Sequence, residues 1–138
     1  MSAPLIARVA LVVAAVLAAG VLVGFQHSEN TCTDSVKDMF FALRDRVPDA
    51  QLQPTIDAVV DDCPESGRLV DAGAVLFQQG HPQQAEEVLW RAVERESKNF
   101  SAWAGLASVL ERDNPAKSAE AAAHAKRLNP FYRPPSSG

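Results

Sequence analysis

The sequence predicts an all-α protein: one N-terminal transmembrane helix followed by antiparallel helical hairpins. Three observations carry this. Val9 to Phe25 reads VALVVAAVLAAGVLVGF, without a charge or a strongly polar side chain. The remainder is rich in Ala and sparse in β-branched and aromatic residues, with charges spread along it, a composition that favours helix over strand. Its apolar residues also recur at three- and four-residue steps between Pro, Gly and Asn breaks, the mark of short amphipathic helices.

Leu5 to Ala7 extend the apolar run towards the ~20 residues a helix needs to cross the hydrocarbon layer. Arg8 is its only basic flank, and Gln26, His27, Ser28 and Glu29 follow it. The positive-inside tendency therefore keeps the N-terminus in the cytoplasm and exports the bulk of the chain. Residues 1–25 are assigned to a transmembrane helix or signal-anchor that meets the membrane through residues 5–25, and residues 26–31 to a short linker. A cleaved signal peptide is the competing reading. Ala18-Ala19-Gly20 offers small residues for cleavage, but the apolar residues continue past them. No Cys ends the run to take a lipid. Gly20 and Gly24 form a small-xxx-small pair, a pattern that Ala- and Gly-rich segments also produce by chance.

Arg8 is the only one of 13 basic residues in or before this segment, so the rest carries 12 basic against 17 acidic side chains. Without clustered Lys and Arg there is no nucleic-acid footprint, and a solvated acidic surface is expected.

Cys32 and Cys63 are the only cysteines. Their spacing suits neither a CxxC redox motif nor a zinc site, and no pair of His stands at ligand spacing beside them. Between them Ser35 to Val47 carries Val36, Met39, Phe40, Leu43 and Val47 as one apolar stripe. Pro48-Asp49 breaks it, a second helix from Pro54 to Asp62 presents Ile56, Val59 and Val60, and Pro64 prevents continuation. Antiparallel pairing brings the start of the first helix beside the end of the second. A disulfide from Cys32 to Cys63 would then close the hairpin 32–64 and suit an oxidising compartment. Loop-closure entropy puts its contribution at about 3 kcal/mol. Two unpaired buried thiols are the alternative.

Residues 69–97 read LVDAGAVLFQQGHPQQAEEVLWRAVERES and residues 100–130 read FSAWAGLASVLERDNPAKSAEAAAHAKRLNP. In the later unit Trp103, Leu106, Ala107 and Leu110 are followed by Pro130. In the earlier one Leu69, Ala72, Gly73 and Leu76 are followed by Gly80, Ala85, Leu89 and Ala92. Both units resemble tetratricopeptide repeats, whose pattern is W-x2-L-G-x2-Y, then A-x3-F and a closing Pro, with a period of about 34 residues. They depart from it: Ser97 replaces the Pro in the earlier unit, and the turn near Asp113-Asn114-Pro115 is one residue short. Ser118 and Ala122 stand where Ala and a bulky apolar residue are usual. The resemblance, to membrane-anchored bacterial members of the family, implies two repeats over 65–130 and a degenerate first one over 32–64. Cys32 stands 34 residues before Ser66, in register with that period. An unrelated array of helical hairpins is the other reading. Small residues at Gly73, Ala85, Ala92, Ala107 and Ala125 are expected to let paired helices approach, with Leu76, Leu89, Trp103 and Leu110 filling the space between pairs. Residues 131–138, rich in Pro and Ser, are expected to be a flexible tail whose Phe131 and Tyr132 cover the last hairpin.

No catalytic, cofactor-binding or metal-binding set emerges. His27, His81 and His124 stand alone and are expected to be exposed; no nucleophile signature surrounds them. Asp61-Asp62 and Glu86-Glu87 are adjacent pairs that point to different sides of a helix. No Gly-rich phosphate loop is present. The chain is therefore expected not to be an enzyme and to bind no small-molecule substrate. Its expected partners are proteins, which the repeat resemblance assigns to a concave side lined by the first helix of each hairpin. That side would present Lys37, Phe40 and Arg44, then Val70, Asp71, Ala74 and Phe77, then Ala104, Ser108 and Arg112. These residues do not form the Lys, Arg and Asn clamp with which some members grip a C-terminal carboxylate. A mixed groove would instead hold an extended or helical segment by burial. Phe40 and Phe77 are alternatively core residues between hairpins. The roles implied are a membrane-anchored scaffold or assembly factor, an accessory subunit of a membrane enzyme complex, or a holder of exported polypeptides like the membrane-bound members that serve cytochrome c maturation.

Overall fold

The computed structural model describes residues 3–134, with the backbone alone at 3–9, 12 and 25–29. It is all-helical: α1 (Ala3–Arg44), α2 (Asp49–Asp62), α3 (Ser66–Gln78), α4 (Pro82–Arg95), α5 (Phe100–Leu110) and α6 (Pro115–Leu128). The C-terminal part of α1 pairs with α2, α3 with α4, and α5 with α6. The three hairpins then stack, α4 and α3 against α5, and α2 against α4.

Two boundaries differ from the sequence expectation. Residues 26–31, expected as a linker, lie within α1. Neither Gly nor Pro occurs between Gly24 and Pro48, and Ser, Asn and His lower helix propensity without breaking a helix already under way on both sides. The second helix starts at Asp49 and carries Pro54 inside it. Burial of Leu52, only 1% exposed, holds this extra turn against the cost of an interior proline. The end of the expected tail, 135–138, lies outside the described residues. Among the described residues no helix is long and apolar enough to cross a membrane, the longest uninterrupted stretch of α1's apolar run with described side chains being 13–24.

The core repeats with the chain. Leu69, Ala72, Gly73 and Leu76 are buried on α3, and 34 positions later Trp103, Leu106, Ala107 and Leu110 are buried on α5. On the second helices Leu52, Ile56 and Val59 of α2 recur 33 positions later as Ala85, Leu89 and Ala92 of α4, all buried. Leu89 is the wedge at the centre. A Cβ added at Gly73 would lie 2.7 Å from Leu89 Cγ, and one at Gly105 3.0 Å from its Cδ2. Burying such a side chain stabilises by roughly 1.5–3 kcal/mol. Where α6 carries Ser118 in place of an alanine, the hydroxyl donates to the Ala107 carbonyl at 2.6 Å, so the hairpin closes without an orphaned polar group.

The turns repeat as well. At the end of α1, Arg46 N–H donates to Leu43 O and Val47 N–H to Ala42 O. At the end of α3, Gly80 N–H donates to Phe77 O and His81 N–H to Leu76 O. Both are Schellman closures, whose pivot must adopt positive φ; Arg46 has φ 53° and Gly80 has φ 88°. These pivots are 34 positions apart. α4 and α6 open on Pro82 and Pro115 at their N-termini, and Asn114 caps α6 by accepting from Lys117 N–H.

Candidate partner-binding face

The first helices of the three hairpins carry the residues that were expected to meet a partner. On α1, Cys32, Ser35, Met39 and Leu43 are buried. Lys37, Phe40 and Arg44 follow one another at three- and four-residue steps on a different side, exposed. Phe40 is 47% exposed and Phe77 on α3 is 41% exposed, so both are surface residues and neither is core between hairpins. Asp71 and Ala74 are exposed and Val70 is half-buried. On α5, Ala104 and Ser108 are half-buried, and Arg112 is exposed in the turn beyond Leu110. The Ser108 hydroxyl donates back to Ala104 O at 3.2 Å, a local bond that turns it away from a partner.

α3 packs directly against α5. An open depression of about 410 Å³ lies at their N-terminal ends, lined by Val70 and Asp71 together with Arg68, Asn99 and Ser101. Lys37, Phe40 and Arg44 do not line it; their helix packs chiefly against α2. Ala74, Phe77, Ala104, Ser108 and Arg112 lie outside it too. The expected residues thus lie at or near the surface of the three first helices, and of them only Val70 and Asp71 share the hollow between α3 and α5.

The two cations that α1 contributes are already engaged. Lys37 Nζ lies 3.1 Å from Asp34 Oδ1, and Arg44 Nε donates to Asp45 Oδ1 at 2.8 Å. That bond raises the Arg44 pKa and lowers that of Asp45. The Arg44 guanidinium also sits 4.9 Å from the centre of the Phe41 ring. Phe41, 52% exposed, was not anticipated. The signal was present, because it falls outside the 32, 35, 39, 43 progression of buried positions.

Two histidines are engaged where exposure was expected. His124 stacks on Trp103 with ring centres 4.0 Å apart and planes at 10°, and Trp103 meets Trp90 edge-on at 5.8 Å. This row ties α4, α5 and α6 together. His81 Nδ1 lies 3.3 Å from Asp49 Oδ1 on the neighbouring hairpin. Sequence neighbours could not reveal either contact, since both partners are far along the chain. The His27 side chain lies outside the described residues.

The opposite ends of the hairpins are tied together. The Cys32–Cys63 disulfide joins α1 to the residue after α2, with Cα atoms 4.6 Å apart and both residues buried. Beside it Ser35 Oγ donates to Asp62. Ser66 Oγ donates to Glu96, Asn99 Nδ2 donates to Ser66 Oγ at 2.8 Å, and Asn99 caps α5 by accepting from Ala102 N–H at 3.2 Å. Arg95 donates to the Val60 carbonyl. Tyr132 then meets Phe100 edge-on at 5.4 Å. Its ring covers the last hairpin as expected, whereas Phe131 covers nothing and is 90% exposed.

Among the described residues no group of three or more His, Cys, Asp or Glu is placed to hold a metal. What Phe40, Phe41 and Phe77 can do is bury aromatic surface against another molecule. The chain matches no family model and none of the curated proteins compared with it.

Proposed function

We propose that this protein is a membrane-anchored, extracytoplasmic scaffold or complex-assembly factor of the tetratricopeptide type, with no catalytic role. The observation that carries the reading is the pair of exposed aromatic residues, Phe40 and Phe77, on the first helices of successive hairpins, with Ala74 beside the second. Aromatic side chains that keep a large part of their surface in solvent are frequent anchors of a protein interface. The 33- and 34-residue spacing of core positions and turns supports the repeat assignment. The anchor reading is supported by Leu11, Val16, Leu17, Val21, Leu22 and Val23, each more than 60% exposed on one helix, an arrangement that water disfavours and lipid accepts. The disulfide supports an oxidising compartment and hence export of the helical domain.

Purification of the full chain in mild detergent, with and without Phe40→Ala and Phe77→Ala together, tests the scaffold role. Both side chains are exposed, so folding is expected to survive, with a melting temperature close to that of the parent. The co-purifying protein should be lost, at least ~30-fold in affinity for a true hot spot. A stoichiometric complex that survives the double substitution would instead favour an accessory subunit held through the transmembrane helix.

A further inference from the structure

We propose that the turn after α6 is a second membrane contact, docking the far end of the helical domain on anionic lipid headgroups. This rests on the anchor reading above for α1.

The ties described, most of them closing one hairpin and Ser66 to Asn99 joining two, run along one end of the stack: Cys32 to Cys63, Ser66 to Glu96 and Asn99, Phe100 to Tyr132. That is the end at which α1 enters the domain. α1 is continuous from its apolar run to Arg44, and Cys32 follows Phe25 by seven residues, about 10 Å of helix at 1.5 Å per residue. The tied end therefore faces the bilayer that holds α1.

At the far side of this end the chain leaves α6 through a tight turn. Phe131 N–H donates to Asn129 Oδ1 at 3.1 Å and Tyr132 N–H donates to Asn129 O at 2.9 Å. Pro130 and Phe131 occupy the tip. Tyr132 folds back on Phe100, which leaves Phe131 projecting with 90% of its surface exposed, more than any other large apolar side chain described. The surrounding sequence, residues 126–134, reads KRLNPFYRP: three cations and no carboxylate, in a chain that is acidic overall. Lys126, Arg127 and Arg133 are exposed, Leu128 is 39% exposed, and among the described residues no ion pair engages the three cations. A projecting aromatic among unpaired cations fits the headgroup layer, where the ring sits at the interface and each cation near an anionic surface strengthens association about fivefold. A protein partner would be expected to meet such cations with carboxylates and to bind as well beside neutral lipid.

The test uses the full chain reconstituted in vesicles of brominated phosphatidylcholine, with or without phosphatidylglycerol. Phe131→Trp places a fluorophore at the turn, and the parent chain with Trp90 and Trp103 supplies the background. Lys117→Trp marks the opposite end of α6. With phosphatidylglycerol present, the Phe131→Trp emission should be quenched well beyond that at Lys117→Trp. High salt, or Lys126→Gln with Arg127→Gln and Arg133→Gln, should abolish the difference, removing up to about a hundredfold in association. Equal quenching at the two positions, or a difference indifferent to charge, overturns the docking. Retention on neutral vesicles after an alkaline wash reads the anchor separately. A chain retained but unquenched at the turn sinks the docking alone. A chain that washes off sinks the anchor, and docking then stands only if phosphatidylglycerol vesicles still recruit it in a salt-sensitive way.

Discussion

Arg46 and Gly80 do the same work in successive turns, yet one carries a side chain where backbone geometry favours none. A non-glycine residue at positive φ costs of order 1 kcal/mol, and the Arg46 side chain is exposed, with nothing else to lose. Relief of that strain is expected to outweigh the added entropy of the unfolded chain, so Arg46→Gly should raise stability by up to about 1 kcal/mol in chemical denaturation, and a loss of stability would refute this. Gly73 presents the reverse case. A methyl group there would press on Leu89 Cγ, so Gly73→Ala should cost about 1–3 kcal/mol although it improves helix propensity. Substitution at the other glycine of α3, Gly67, where a Cβ meets nothing within 4 Å, is the control. Tyr132 adds a pH dependence. Burial raises its pKa above the ordinary 10.0, with the Glu111 charge acting in the same direction. The neutral phenol is thus favoured in the fold, and its contribution is complete below the unfolded value and lost as pH rises through the higher folded one. Melting temperatures should fall more steeply above pH 10 for the parent than for Tyr132→Phe. Because the buried Tyr132 hydroxyl has no hydrogen-bond partner among the described residues, that variant should be at least as stable at neutral pH.

At the scale of elements the first hairpin stands apart. It joins the others mainly through α2 against α4, including Gln53 to Glu87 at 3.2 Å, and its own closure is covalent. Reduction, or Cys32→Ser with Cys63→Ser, is expected to remove roughly 3 kcal/mol. The loss should appear first in hydrogen exchange of α2 while α3 to α6 stay protected; uniform loss of protection would show the stack to be one cooperative unit. How much of this could be read beforehand depends on the range of the signal. The stripes over Leu69 to Leu76 and Trp103 to Leu110, the turn at Gly80 and the pairing of Cys32 with Cys63 all rest on spacing, and spacing is written in the chain. The continuation of α1 through residues 26–31 was missed because polar residues resemble a linker locally, whereas a helix extended from both sides carries them. Pro54 misled in the same way: burial of Leu52 on its N-terminal side outweighs the proline. On the candidate face, the repeat register placed Lys37, Phe40 and Phe77 among the partner-facing residues while helical phase alone put Phe40 in the apolar stripe, and neither could reveal that Lys37 and Arg44 are paired with neighbouring carboxylates or that Ser108 is turned back on its own helix.

For the molecule as a whole, the helical domain has two differently built sides. The exposed aromatics Phe40, Phe41 and Phe77 lie on the first helices, while the row formed by Trp90, Trp103 and His124 locks the last two hairpins together. His124→Ala should therefore loosen the C-terminal half, by about 0.5–1.5 kcal/mol for one stacked pair, without touching the candidate face. Retained partner binding with a lowered melting temperature is the expected result, and lost binding would mean that the face extends around α6.

The unbroken course of α1 makes the domain's compass bearing a matter of arithmetic. A flexible tether lets a domain spin, but a helix transmits torque, and each residue advances it by about 100°. With α1 held in a bilayer as proposed, one residue inserted between Phe25 and Cys32 would swing Phe40 and Phe77 by that angle around the helix axis while lifting them only ~1.5 Å. Seven inserted residues would nearly restore the heading and raise the domain by ~10 Å. A neighbour embedded in the same bilayer would lose contact in the first variant and keep its aim in the second, which site-directed cross-linking from position 77 can distinguish.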